Sequence, residues 1–193
     1  MSSEERILEQ LKSRLSQLRV GVGPFSGTVY RSCTPRYANQ SDLITGTGSF
    51  QYGGRWSPVG IAVVYSSLTP EVAMAETLAN NRYYEIAIED SMPRTFVAIM
   101  VSLRSIVDLR VGAVRQSIRV SLDRTMTVDW RREVREGRIP ITQLIGRASF
   151  EIGFEGIIVP SVADPTGSNL LVYPEKLQLG SVLRVLNADR LTK

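Results

Sequence analysis

The chain predicts a mixed α+β fold, a largely antiparallel sheet with flanking helices, and three observations carry that prediction. Short apolar, β-branched runs recur from residue 61 onward, segments with helical apolar spacing interrupt them irregularly, and no repeat or low-complexity stretch imposes an order. Regular βαβ units would alternate evenly. With 193 residues, 43% of them hydrophobic, the chain is long enough to bury roughly 70% of its unfolded surface in one domain. Residues 1–27 read as an N-terminal amphipathic helix and linker, and 28–193 as a single globular domain.

Ser2 and Glu5 have the spacing of a capping box, and Leu8, Leu11, Leu15 and Leu18 follow at three- and four-residue intervals. Such a stripe docks on its own domain or, alternatively, on a partner or a second copy in a homodimer. Residues 21–27 (GVGPFSG) read as a flexible joint. The short strand 28–31 (TVYR) delivers Arg31 to a long polar loop running through Asn39, Thr45 and Gly48, and loops of that length in a compact domain are often functional. By position alone Arg31 reads as one half of a surface salt bridge.

Gly53 and Gly54 permit close backbone approach ahead of Arg55, and Trp56 reads as a packing anchor. Residues 61–66 form a core strand ending at Tyr65 and Ser66. A helix follows, with Thr69 as N-cap, Pro70 at its first position, Glu71 near the positive end of the dipole, and Asn80 and Asn81 as its stop. At 100° per residue Glu76 falls on the apolar arc with Val72, Ala73, Ala75 and Ala79. A carboxylate aimed at apolar surroundings needs a cation, hydrogen-bond donors or a ligand, and an ordinary buried ion pair with an arginine satisfies that need as well as a functional site does.

Further strands are predicted at 86–88 and 95–103, with 107–109 extending the sheet. Helices are predicted at 128–136, capped by Thr127, and at 140–152, ended by Gly153. The run 156–159 is a buried strand that stops at Pro160 and places Ser161 at its tip, and the chain returns through Asn169 into LLVY before a last strand at 183–186.

Composition excludes several chemistries. The chain has no histidine, which removes Ser-His-Asp and Cys-His pairs, the usual zinc sites and the commonest general base near neutral pH. Its one cysteine, Cys33, cannot form an intramolecular disulfide and lacks a histidine to activate it, so it reads as structural in a reducing cytoplasm. No run approaches 18 apolar residues and the first ten residues lack an apolar signal region, so neither a membrane span nor export is expected. The net charge of +4 is regional: residues 104–138 hold nine arginines against five acids. With one aromatic, Trp130, and no reading motif, that segment suits an acidic protein partner or a solvated face better than direct contact with nucleic acid.

Several short motifs occur in a set order: VYR at 29–31, GGRWSPVG at 53–60, VVYSS at 63–67, AMAETL at 73–78, GIIVPS at 156–161 and NLLVYP at 169–174. As a set they resemble the RES domain family, named for an arginine, a glutamate and a serine, which fall here on Arg31, Glu76 and Ser161. Ser57 stands where the family often has asparagine. The resemblance implies an ADP-ribosyltransferase-like fold and cleavage of the nicotinamide-ribose bond of NAD, by hydrolysis or phosphorolysis, in a toxin neutralised by a helix-turn-helix antitoxin. NAD is then a substrate, inorganic phosphate a co-substrate where phosphorolysis operates, and no metal or resident cofactor is implied. Transfer of ADP-ribose to a protein is one alternative, and a non-catalytic module docking a protein partner is another.

Under that resemblance Glu76, Arg31 and Ser161 are the expected catalytic residues, and Arg55, Tyr65 and Asn169 the expected NAD-binding ones. Glu76 would stabilise the developing positive charge of the ribose, Arg31 and Arg55 would bind phosphate or orient the glutamate, and Tyr65 would face the nicotinamide ribose. Ser161 and Asn169 would hold NAD or the acceptor. The chemistry agrees with the composition, because a pyridinium leaves as neutral nicotinamide and needs no general acid. What it needs is a preorganised carboxylate and arginine forks.

Overall fold

In the computed structural model, residues 2–191 are described. Among them the chain forms, in order, α1 (Ser3–Ser16), β1 (Val22–Cys33), α2 (Gln40–Ile44), α3 (Thr47–Tyr52), β2 (Val64–Ser67), α4 (Pro70–Tyr83) and β3 (Thr95–Asp108). Then come α5 (Gly112–Ser117), α6 (Leu122–Thr127), α7 (Trp130–Arg135), α8 (Ile141–Glu151), β4 (Gly156–Pro160), β5 (Ser168–Val172) and β6 (Val182–Val185).

The six strands make one mixed sheet in the order β1-β2-β5-β4-β3-β6, in which only the β3–β4 pair is parallel among the described residues. β1 also pairs antiparallel with β3, from Val22 opposite Val107 to Cys33 opposite Thr95, and this closes β1, β2, β5, β4 and β3 into a barrel. β6 adds to β3 alone. The expected mixed, largely antiparallel sheet with flanking helices is therefore the observed fold.

Period-two alternation supplies two cores from the same strands. Ile157, Val159 and Leu171 face a cluster built with Leu8, Leu11 and Leu15 of α1 and Leu144 and Ile145 of α8, whereas Ile158, Leu170 and Val172 face a second cluster with Val29, Ile99 and Val101. Strands buried on both faces read as unbroken apolar runs, which is why β4 and β5 are legible locally. The leucine stripe of α1 is spent inside the chain: Leu11 and Leu15 are each 1% exposed, so the stripe leaves no apolar face for a second protomer.

The structure corrects several local expectations. The joint expected at 21–27 is the first half of β1, because Gly23 and Phe25 through Gly27 find partners along β3, with a bulge between Gly23 and Phe25. Long-range pairing overrides the turn-like composition. Residues 95–103 and 107–109 are one strand through Asp108, not two. The strand expected at 86–88 is irregular chain, with Glu85 at a φ of 55° and Ile86 and Ile88 exposed to solvent. The polar loop after Arg31 folds into α2 and α3: Asn39 caps α2 by accepting from the Asp42 amide, and Gly46 takes a φ of 71° where a Cβ would lie 2.6 Å from the Val63 nitrogen. α7 is capped by Asp129 rather than Thr127, since Asp129 accepts from the Arg132 amide, and Thr127 ends α6.

Candidate active site

Strand register gathers the site. Tyr30 of β1 lies opposite Ser67 of β2, Ser67 opposite Asn169 of β5, and Asn169 opposite Val159 of β4, so Arg31, Ser67, Asn169 and Ser161 emerge at one end of the barrel. α4 crosses there. Thr69 caps it by accepting from the Val72 amide, Val72 and Ala73 anchor it against the sheet, and Glu76 falls one turn further on that stripe.

The Glu76 carboxylate is held through one oxygen. Its Oε1 accepts from the Ser161 hydroxyl at 2.7 Å and from the Asn169 amide Nδ2 at 2.6 Å. Each donor is fixed in turn: Asn169 Oδ1 accepts from Ser67 Oγ at 2.7 Å, and Ser161 Oγ accepts from the Ala163 and Asp164 amides at 3.1 and 3.0 Å. Among the described residues no lysine or arginine nitrogen lies within 4.0 Å of Glu76, and its Oε2 accepts no hydrogen bond from protein. Glu76 is therefore not half of a buried ion pair. It is a carboxylate held by neutral donors, with one oxygen left free.

Glu76 lies on the walls of two adjoining cavities, of about 760 and 280 Å³, which also share Arg31, Tyr65, Asn80 and Asn169. The larger is of a size that takes a nucleotide-class ligand. Arg31 lines both and donates to the Leu43 carbonyl at the end of α2, and desolvation lowers its pKa without removing its charge at neutral pH. Arg55 lines the larger cavity, its Nη2 donating to the carbonyls of Thr125 and Met126 at 2.7 and 2.9 Å. Neither arginine bonds to Glu76; Ser161 and Asn169 orient it instead.

Tyr65 reaches back toward the glycine turn. Its phenol accepts from the Trp56 amide at 3.0 Å and forms a hydroxyl–hydroxyl hydrogen bond with Ser57 Oγ at 3.0 Å, and burial pushes its pKa up to about 12 against the pull of those hydrogen bonds. Gly54 is required by this contact, since a Cβ there would lie 2.6 Å from the Tyr65 oxygen. Ser57, 1% exposed, keeps Tyr65 in place as a short polar residue can.

Ser161 is 0% exposed and lines neither cavity; its hydroxyl meets the site through Glu76. Arg31, Arg55, Tyr65 and Asn169 all reach a cavity wall. Arg131 and Trp130 of α7, Asn80 of α4 and Arg94 just before β3 line the cavities too, and sequence reasoning missed them. Arg131 sits in a run of mixed charge whose residues look alike until the chain is folded. Only its neighbour Trp130, one of two tryptophans, marked the place.

No helix among the described residues is long and apolar enough to cross a membrane. The chain is 25% identical to the Prs ADP-ribosylating toxin of Sphingobium sp. (strain YBL2) over 154 residues, which cover 75% of this chain and 81% of the relative. It is 30% identical over 148 residues to Toxin Res of Yersinia enterocolitica, covering 76% and 83% respectively. In fold it resembles a chain of the M. tuberculosis MbcT-MbcA toxin-antitoxin complex, with a TM-score of 0.70 over 96% of this chain and 91% of that one at 18% identity. The sequence model of the RES domain matches residues 28–190, which contain the arginine, glutamate and serine described above, and the chain belongs to the RES domain family.

Proposed function

We propose that the chain cleaves the nicotinamide-ribose bond of NAD and is the toxin of a toxin-antitoxin pair. The observation that carries this reading is Glu76, fixed through one oxygen by Ser161 and Asn169, open at the other, and facing a cavity walled by Arg31 and Arg55. In the reaction the C1′–N bond breaks with its electron pair going to the pyridinium nitrogen, so nicotinamide leaves neutral. The free carboxylate oxygen stabilises the cationic ribose and accepts from a ribose hydroxyl, and an acceptor oxygen then bonds to C1′, a water or hydroxyl acceptor releasing its proton to solvent and a phosphate oxygen attacking already deprotonated. Arginine forks hold the phosphates of the dinucleotide.

Two relatives are named as toxins, and the structural neighbour is a toxin bound to its antitoxin, which supports a protein antitoxin as partner here. The name of the Sphingobium relative favours a second reading, transfer of ADP-ribose to a protein acceptor. Nicotinamide release from NAD, measured with and without inorganic phosphate and with a labelled adenosine moiety, separates the acceptors. Phosphate-dependent release marks phosphorolysis, phosphate-independent release hydrolysis, and label carried into protein marks transfer. No release above that of Glu76→Gln under any condition would falsify the proposal.

A further inference from the structure

We infer that Arg131 and Arg55 together form a diphosphate subsite in the larger cavity, so that the site selects a phosphoanhydride over a single phosphate. The inference rests on the NAD reading for its biological ligand but on the two arginines for its chemistry.

Arg131 is built into the cavity wall. Its guanidinium lies 4.1 Å from the ring centre of Tyr83, 4.4 Å from that of Trp130 and 5.6 Å from that of Tyr84, and its Nη2 donates to Asn80 Oδ1 at 3.0 Å. These contacts tie the end of α4 to α7 and fix a cation on the wall, which an exposed arginine chain does not achieve. No carboxylate lies within 4.0 Å of it among the described residues. Its Nε is buried and has no acceptor among them.

Arg55 shows the same pattern on the same cavity. Two backbone carbonyls hold its Nη2, no carboxylate lies within 4.0 Å among the described residues, and its Nε is likewise buried without an acceptor. The two charges feel each other, since Arg131 adds to the lowering of the Arg55 pKa that burial begins and Glu76 opposes. Two guanidinium groups on the wall of one cavity, with no carboxylate within 4.0 Å of either among the described residues, repel each other, and an anion in the cavity relieves that repulsion. One phosphate satisfies one fork; two linked phosphates satisfy two forks held by different elements. The arrangement also gives residues 104–138 a task inside the molecule, since Arg131 comes from that segment and its neighbours α6 and α7 supply the carbonyls and ring that hold the pair.

Calorimetric titration of the full chain with ADP and with AMP tests this, alongside nicotinamide release from NAD. Wild type should bind ADP more tightly than AMP. Arg131→Gln should weaken ADP by about 10- to 100-fold and AMP by less than about threefold, as expected for loss of a charge-assisted bond to the second phosphate. Arg131→Lys, which keeps the charge and loses the fork, should recover part of the ADP affinity and guards against a folding defect in the glutamine variant. Arg132→Gln, at an exposed neighbour paired with Glu136, should bind as wild type does. Equal weakening of ADP and AMP, unchanged ADP binding in Arg131→Gln, or no ADP binding by wild type would each overturn the subsite. ADP binding that depends on Arg131 without nicotinamide release would sink NAD cleavage and leave the subsite standing. Release with ADP binding indifferent to Arg131 would do the reverse.

Discussion

Glu76 and Glu155 are two carboxylates enclosed by the same fold, and among the described residues neither has a cation within 4.0 Å. Glu155, 0% exposed, uses both oxygens: Oε2 accepts from the Arg104 and Ser105 amides and Oε1 from the Gln178 amide. All three donors are backbone, from β3 and from the segment that leads to β6. Glu76 uses one oxygen, its donors are side chains, and the residue lines a cavity. A carboxylate saturated by main-chain amides fastens segments together. One held on a single side keeps an oxygen without a protein donor, and the difference lies in the donors rather than in burial.

That contrast predicts opposite outcomes for one substitution. Glu76→Gln should lower NAD cleavage by about 100- to 1000-fold, the range for removing a preorganised electrostatic group, while leaving the melting temperature close to wild type. Nicotinamide release and calorimetric melting of the same preparation check both halves, and a large loss of stability would place Glu76 with Glu155 as a structural acid. Glu155→Gln turns an amide NH₂ toward backbone donors and should cost about 3 kcal/mol, or roughly 6 to 12 °C in melting temperature, with activity per folded molecule retained.

Ser161→Ala should give a smaller effect of mixed kind. It removes one of two donors to Glu76 and leaves the Ala163 and Asp164 amides without their acceptor, so activity should fall about 10-fold and stability by about 1 to 2 kcal/mol. Because Ser161 does not reach the cavity, the loss should appear in kcat with KM for NAD nearly unchanged; a change confined to KM would return it to a ligand-holding role.

The smallest effect is in acid. Burial alone would raise the Glu155 pKa, but the Gln178 amide, the nearby Ser181 hydroxyl and the Ser105 and Arg104 amides bring it below the usual carboxylate value of 4.5. A depressed carboxylate contributes stability that is fully present above the unfolded pKa and is lost as pH falls through the folded one. Melting temperature followed from about pH 6 to about pH 3 should therefore fall more steeply for wild type than for Glu155→Gln. Parallel curves would remove Glu155 from the acid transition.

The two acids also differ in what revealed them. Glu76 stood out because α4 carries its own signals, a threonine cap, a proline at the first position and an apolar arc, and those place the carboxylate before any partner is known. Glu155 sits between a glycine-ended helix and an apolar strand with no local mark, and its meaning depends on amides about 50 residues before it and 23 after it. The same limit hid α5 and α6, whose six residues each carry little periodicity, and the pairing of residues 21–27, whose glycines suit a turn until β3 lies alongside.

The sequence by itself determined the fold class, the α1 cap and stripe, the strand at 156–159 and the second half of the strand expected at 61–66, and it named Arg31, Arg55, Tyr65, Glu76, Ser161 and Asn169 as candidates, because caps, periodicity and ordered motifs are written in adjacent residues. Tertiary structure alone decided which partners those residues hold. Ser161 turns inward to Glu76, Arg55 fastens to α6, and Arg131 arrives from a segment whose sequence reads as surface, because side-chain partners are fixed by barrel closure and helix docking over long separations. Local chemistry specifies which groups are present; only their arrangement brings one carboxylate with a single bonded oxygen and two guanidinium groups without a carboxylate partner among the described residues to the wall of one cavity.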